Sequence, residues 1–126
     1  MFDKVNTPTL FLDEEKVKRN IRDMAERAAG WDVHFRPHFK THQSRIIGEW
    51  FRDFGIHSIT VSSMRMARYF ADAGWKDITL AFPVNLREIT DINDFPSSVN
   101  LRLLVCDLYS IKTLASQLTH IHSVFI

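Results

Sequence analysis

This sequence has the length and composition of one globular domain. It has 126 residues, of which 45% are hydrophobic and 25% are charged, so a disordered or low-complexity chain is excluded. Sixteen Lys and Arg residues against fifteen Asp and Glu residues leave a formal charge of +1 without a basic stripe. Nucleic acid and anionic membranes are therefore not expected partners.

The cysteine and hydropathy patterns predict the compartment. Cys106 is the single cysteine, which excludes an intrachain disulfide, and it lies in an apolar run where we expect it to be buried. No run approaches the roughly 18 apolar residues of a membrane span, and charges occupy the place of a secretory signal. The sequence therefore predicts a cytoplasmic protein that does not contact a membrane.

The predicted elements alternate between helices and strands. Asp13 is a good N-cap for a first helix that we expect Gly30 to end. The segments that follow are predicted as a strand over 33–38, a helix over 44–54, a strand over 57–62, a helix over 64–73 and a strand over 77–82. The remaining segments are predicted as a helix over 86–94, a strand over 101–106, a helix capped by Asp107 and a strand from His122. The core is predicted to include Met64, Met66, Trp31, Trp50 and Trp75.

This alternation predicts the α/β class. Strands that alternate with helices form βαβ units, and apolar strands favour a parallel sheet covered on both faces. Two architectures fit the pattern, a five-stranded doubly wound sheet and an incomplete barrel, and periodicity does not separate them. The strand that begins at His122 runs to Ile126 at the end of the sequence, which favours the incomplete barrel.

Reactive side chains are concentrated between Arg36 and Ser44, directly after the first predicted strand. In parallel α/β folds the carboxyl ends of the strands carry the active site. Lys40 is therefore a candidate nucleophile for a Schiff base, with Arg36 and His38 as cations that favour its neutral amine. From the residues alone, a solvated surface lysine remains the alternative.

Other catalytic and binding patterns are weak. His38 and His42 have no third ligand nearby, which disfavours a metal site, and His120 and His122 are expected to make ordinary hydrogen bonds. Four glycines do not supply a phosphate-binding loop, a dinucleotide fingerprint or a Gly-x-Ser-x-Gly turn. Nucleotide binding through those motifs and serine hydrolase chemistry are therefore excluded.

Several segments share the pattern of a known family. They are Thr7–Asp13, Arg19–Ile21 and above all Arg36–His42, which reads Arg-Pro-His-Phe-Lys-Thr-His. These segments resemble the D-threonine aldolase and D-serine dehydratase family, which are pyridoxal-phosphate enzymes with an alanine-racemase-type barrel. Thr60–Ser63 and Ala81–Val84 resemble the next two strand ends of that family.

The resemblance implies a fold, a cofactor and site residues. It implies a partial (β/α)8 barrel over residues 1–126, with about the first five strands present and the carboxy-terminal part of the barrel and a β-domain absent. Lys40 is implied to be the catalytic lysine that forms the aldimine with pyridoxal 5'-phosphate, and Lys40 and His38 are the implied cofactor-binding residues. In full-length members a divalent metal, Zn or Mn, activates the β-hydroxyl through ligands outside this chain. Gln43 departs from the family, which usually has lysine there.

The implied function is that of the amino-terminal part of a lyase. Such an enzyme acts on small D-β-hydroxy amino acids by aldol cleavage or by dehydration, and this segment is not expected to turn over substrate alone. An open sheet edge also predicts a homodimer or pairing with the missing half. Two alternatives remain, namely a non-catalytic pyridoxal-phosphate-binding module and a doubly wound interaction domain in which Lys40 is merely exposed.

Overall fold

The computed structural model describes residues 5–120 and 123–125. Its α-helices are α1 (Glu14–Gly30), α2 (Arg45–Arg52), α3 (Met64–Asp72), α4 (Ile89–Asn93) and α5 (Leu108–Gln117). Its strands are β1 (Ser58–Val61), β2 (Asp77–Pro83), β3 (Asn100–Leu104) and β4 (Ser123–Phe125). Short 3-10 helices span Phe39–Thr41 and Leu86–Glu88. The predicted helix over 86–94 is therefore divided into a 3-10 turn and α4.

Capping side chains begin the first and last of these helices. Asp13 accepts a hydrogen bond from a first-turn amide of α1, and Asp107 accepts one from the Ser110 amide at 2.7 Å. Both predicted N-caps are confirmed. The sequence predicts Gly30 as the residue directly after the first helix. That prediction is wrong, because Gly30 is the last residue of α1 and the left-handed backbone conformation occurs at Asp32, with a φ of 52°.

The start of α3 offers a direct test of capping. Ser63 Oγ accepts a hydrogen bond from the Met66 amide at 3.2 Å, which satisfies an otherwise unpaired donor of the first turn. We expect Ser63→Ala to lower the free energy of unfolding by about 1 kcal/mol, measured by urea denaturation. Ser97→Ala, at an exposed position in a loop, is the control. Equal losses in the two variants would show that the cap contributes nothing.

The order of the strands decides between the two predicted architectures. All of the described strands are parallel, and they lie in the sheet in chain order, β1-β2-β3-β4. A doubly wound sheet reverses its strand order at a switch point, whereas a barrel adds each strand beside the previous one. The fold is therefore α/β, with the strand order of a partial barrel.

The first predicted strand is reduced to one bridge. His38 pairs with Thr60 as an isolated parallel bridge, and the Pro37 carbonyl accepts a hydrogen bond from the Thr60 amide at 2.8 Å. The segment over 33–38 thus lies beside β1, but Pro37 has no amide to donate to a ladder. The sequence predicts about five strands, and the structure describes four strands and this bridge. The last predicted strand begins at His122 and reaches Ile126, and both of these residues lie outside the described ranges.

The two faces of the sheet differ in polarity. One face packs against the helices and forms the core through the buried residues Ile59, Val61, Ile78, Leu80, Leu101 and Leu103. The opposite face, which would line the interior of a closed barrel, carries Ser58, Thr60, Asp77, Thr79, Asn100 and Arg102. The prediction of near-continuous apolar strands in a sheet covered on both faces is therefore wrong, because the strands alternate between a core position and a polar inner position.

An aromatic cluster joins the core to the segment that follows the first bridge. Phe39 is fully buried, and its ring lies 4.9 Å from Phe70 and 5.1 Å from Trp75, measured between centroids. A Cβ added at Gly48 would lie 3.3 Å from Phe39 and 3.4 Å from the Trp75 indole. Glycine at this position therefore allows α2 to approach both rings closely.

Trp31 and Cys106 lie at the surface, where the sequence does not predict them. Trp31 is 73% exposed beyond the end of α1, so its predicted place in the core is wrong. Cys106 is also exposed, because β3 ends at Leu104 and the chain has already left the sheet. Among residues 5–120 and 123–125, no helix combines the length and apolar character needed to cross a membrane.

Candidate functional site

Lys40 lies at the carboxyl end of the sheet. It is the middle residue of the 3-10 turn Phe39–Thr41, which begins directly after the bridge at His38. The side chain is exposed, and its ammonium group makes no hydrogen bond or ion pair with the part of the chain that the structure describes. A primary amine is thus presented at the end of the fold where parallel α/β proteins place their chemistry.

His38 supports the turn that carries Lys40. Its Nδ1 accepts a hydrogen bond from the Lys40 backbone amide at 3.3 Å, and its carbonyl accepts one from the Thr41 hydroxyl at 3.2 Å. Burial, and after it the charge of Lys40, lower the pKa of the His38 imidazole below its ordinary value. The ring is therefore neutral at neutral pH, with its proton on Nε2.

Arg36 does not act on Lys40 in the way that the sequence predicts. Its guanidinium binds the Asp77 carboxylate through two bonds of 2.9 Å and also donates to the Ile59 carbonyl at 3.3 Å. Arg102 approaches the same carboxylate, with Nε at 3.2 Å from Oδ1. The charge of Arg36 is therefore balanced by Asp77 on the inner face of the sheet.

This charge cluster shifts the ionisation of Asp77. Burial raises the pKa of the carboxyl, but the hydrogen bonds and charges of Arg36 and Arg102 outweigh it, and the pKa is lowered below its ordinary value. Two guanidinium groups share one carboxylate, so the cluster carries a net positive charge. Asp77 and Arg102 were not predicted as site residues, although the alternation of polar and apolar residues along both strands is a signal for a polar face.

A row of polar side chains crosses the inner face beside this cluster. The register aligns His38 with Thr60, Thr60 with Thr79, and Thr79 with Arg102. The Thr79 hydroxyl is buried and has no hydrogen-bond partner among the described residues. The row therefore provides hydroxyl and guanidinium groups on the inner face, beginning two residues before Lys40.

His42 follows Lys40 and is half-buried in the aromatic cluster. Its ring centroid lies 4.6 Å from that of Phe39 and 5.9 Å from that of Phe51. Nδ1 accepts a hydrogen bond from the Ser44 amide at 3.1 Å, and Nε2 is buried without a partner in the described chain. Burial lowers the pKa of His42, so its imidazole is neutral at neutral pH.

The carboxyl ends of the next strands contribute further polar groups. A cavity of about 330 Å³ is lined by Gln43, Ser63, Arg65, Met66 and Tyr69, and one of about 200 Å³ opens between the ends of β1 and β2. The Gln43 amide donates to the Lys40 carbonyl at 3.4 Å. Within the described ranges, no three His, Cys, Asp or Glu side chains are grouped to hold a metal ion.

Comparisons with known proteins test the family resemblance. No family model matches the chain. The D-threo-3-hydroxyaspartate dehydratase of Delftia sp. strain HT23 is 33% identical over 104 residues, covering 82% of this chain and 26% of the enzyme. The D-serine dehydratase of Dictyostelium discoideum is 29% identical over 103 residues, covering 78% of this chain and 26% of the enzyme. The chain is a homologue of these dehydratases. It spans about a quarter of the length of the curated relatives that it matches.

Solved structures agree with this relationship. The Delftia dehydratase superposes with a TM-score of 0.85 and 28% identity over 90% of this chain and 30% of its own. An alanine racemase-like protein of Idiomarina loihiensis gives a TM-score of 0.89 and 27% identity over 98% and 34%. A D-threonine aldolase of Filomicrobium marinum, at 24% identity and a TM-score of 0.82 over 90% and 31%, shows the shared fold alone. The predicted resemblance and the predicted partial barrel are confirmed.

Proposed function

We propose that this chain binds pyridoxal phosphate through Lys40 and forms part of an enzyme that acts on D-β-hydroxy amino acids. The observation that carries the proposal is the Lys40 amine, which has no partner among the described residues and lies at the carboxyl end of a parallel sheet, in a homologue of two D-amino acid dehydratases. Both curated relatives are named as dehydratases, which favours dehydration over aldol cleavage as the reaction of the whole enzyme.

The residues present fit one end of this cofactor. Lys40 provides the primary amine that the cofactor aldehyde requires, and the neutral ring of His38 holds the backbone of the turn beneath it. When bound, pyridoxal phosphate supplies a conjugated ring that withdraws electrons from the bonds of the substrate α-carbon. The net positive charge on the inner face of the sheet attracts the anionic cofactor and the substrate carboxylate.

Other parts of a complete site lie outside this segment in the proposal. In this proposal residues 1–126 belong to a partial barrel domain, and the described residues include no metal-ligating cluster. We therefore expect the segment to bind the cofactor weakly and to show no turnover of D-serine or D-threonine. The same proposal includes a divalent metal as a further cofactor. It also includes a protein partner, which is either a second copy of the chain or a complementary half of the barrel.

Reductive labelling of the chain tests the assignment of Lys40. The purified protein is incubated with pyridoxal phosphate, reduced with borohydride, digested, and the labelled lysines are mapped by mass spectrometry. We expect the label to be concentrated on Lys40 and to be lost from that peptide in Lys40→Ala. Lys112→Ala removes another exposed lysine and is the matched control. Label spread evenly over several lysines in the unmodified sequence would contradict the proposal.

A further inference from the structure

Two histidines beside Lys40 make the same local hydrogen bond. His38 Nδ1 accepts from the amide of Lys40, and His42 Nδ1 accepts from the amide of Ser44, in each case two residues further along the chain. Asn and Asp side chains make this bond in Asx turns, where they replace a backbone turn. Each imidazole can accept it only while Nδ1 carries no proton.

The ring of His42 also connects the Lys40 turn to two helices. It packs on Phe39, which belongs to the same 3-10 turn as Lys40, on Phe51 of α2 and on Phe70 of α3, where the ring centroids are 6.3 Å apart. Ser44, whose amide it binds, is the N-cap residue of α2. A displacement of this imidazole would therefore change the position of the turn relative to α2 and α3.

We propose that His42 is a positioning residue for Lys40. Its neutral imidazole, protonated on Nε2, joins the Lys40 turn to the start of α2 and thereby holds Lys40 in place. The importance of that placement rests on the proposed function of Lys40. His42 acts through the turn and does not contact the lysine amine.

The surroundings of the two rings determine how they respond to acid. The charged group that faces His38 is the ammonium of Lys40. The described contacts of His42 are three phenylalanine rings and the Ser44 amide, none of which is a counter-ion for an imidazolium. Protonation of His42 removes the acceptor at Nδ1 and places a cation in an apolar cluster, so it releases the turn.

Nuclear magnetic resonance of the 126-residue chain tests the tautomer and the linkage directly. Imidazole and amide nitrogen shifts are recorded from about pH 5 to about pH 8, in the original sequence and in His38→Asn, which removes the titration of His38. We expect His42 to carry its proton on Nε2, and the Lys40 amide to shift with the titration of His42 in both proteins. The proposal would be overturned if His42 carried its proton on Nδ1. It would also be overturned if the chemical shift of the Lys40 amide did not change during the titration of His42.

Two substitutions separate the acceptor from the ring. His42→Asn keeps an acceptor for the Ser44 amide, and His42→Phe keeps an aromatic ring but leaves that amide unpaired. In the labelling experiment we expect His42→Phe to reduce the share of the label on Lys40 about fivefold. We expect His42→Asn, which keeps the hydrogen bond to the Ser44 amide but loses the ring contacts, to reduce that share less. His57→Asn, at an exposed histidine, is the control.

The labelling outcomes are distinguishable from a failure of the proposed function. Labelling of His42→Phe at the level of the original sequence would overturn the positioning role, as would equal losses in both variants with unchanged far-ultraviolet circular dichroism. If the original sequence shows no preference for Lys40, the proposed function of the lysine fails. The resonance measurement then still decides whether His42 holds the turn, because it requires no cofactor.

Discussion

Replacing Phe39 with alanine is expected to destabilise the protein by about 3–5 kcal/mol, the largest loss that we predict for a single substitution. Phe39 is fully buried and contacts the rings of Phe51, Phe70 and Trp75. The substitution removes its apolar surface from the core and leaves a cavity that the neighbouring large rings do not fill by a small movement. Urea denaturation measures the loss as a lower transition midpoint.

The effect of Phe39→Ala reaches the candidate site as well as the core. Phe39 precedes Lys40 in the same 3-10 turn, so its side chain fixes the turn to α2 and α3. We expect the selective labelling of Lys40 to be lost together with stability. Phe82→Ala is the control, because Phe82 is 61% exposed. If Phe39→Ala costs no more than Phe82→Ala, the cluster does not stabilise the fold.

Replacing Asp77 with asparagine is expected to lower the free energy of unfolding by about 2 kcal/mol, less than for a fully buried ion pair because the cluster is partly exposed. Asp77 is the carboxylate shared by Arg36 and Arg102, and its removal leaves two neighbouring guanidinium groups without an anion. Asp72→Asn, at an exposed position on α3, is the control. Denaturation midpoints that do not differ between these two variants would contradict the prediction.

The pH dependence of stability provides a second measurement on Asp77. The pKa of Asp77 is lower in the folded chain than the ordinary value of 3.8. As the pH falls, the carboxyl is therefore protonated at a higher pH in the unfolded chain than in the folded chain. The stabilisation is therefore fully present above about pH 5 and is lost as the pH falls through the folded-state pKa. Asp77→Asn should show a smaller loss of stability in acid than the original sequence. A parallel acid profile in both proteins would assign the loss to other groups.

Much of the secondary structure was predicted from local features of the sequence. Asp13 and Asp107 cap α1 and α5 as expected, and the helices predicted over 44–54 and 64–73 are observed as α2 and α3. Each of these signals depends on residues a few positions apart, which is why a single sequence reveals them. The turn with Lys40 was located for the same reason, because Pro37 ends the preceding extended segment.

The composition of the inner face was not predicted, because it depends on residues far apart in the chain. Arg36 binds Asp77 across 41 positions, and Arg102 binds it across 25. Arg36 was expected to act on Lys40 because the two are close along the chain, whereas its guanidinium binds Asp77 on the inner face of the sheet. The exposure of Cys106 was missed because it depends on where β3 leaves the sheet.

The sequence by itself determined the α/β alternation, the position of Lys40 after the first extended segment, and the family resemblance that the relatives confirm. The tertiary structure alone decided the sequential strand order, the polar inner face and the aromatic packing of His42. The physical reason is the range of the interactions. Caps, turns and periodicity act within one or two turns of chain, while strand order and burial depend on contacts that exist only after distant segments have packed together.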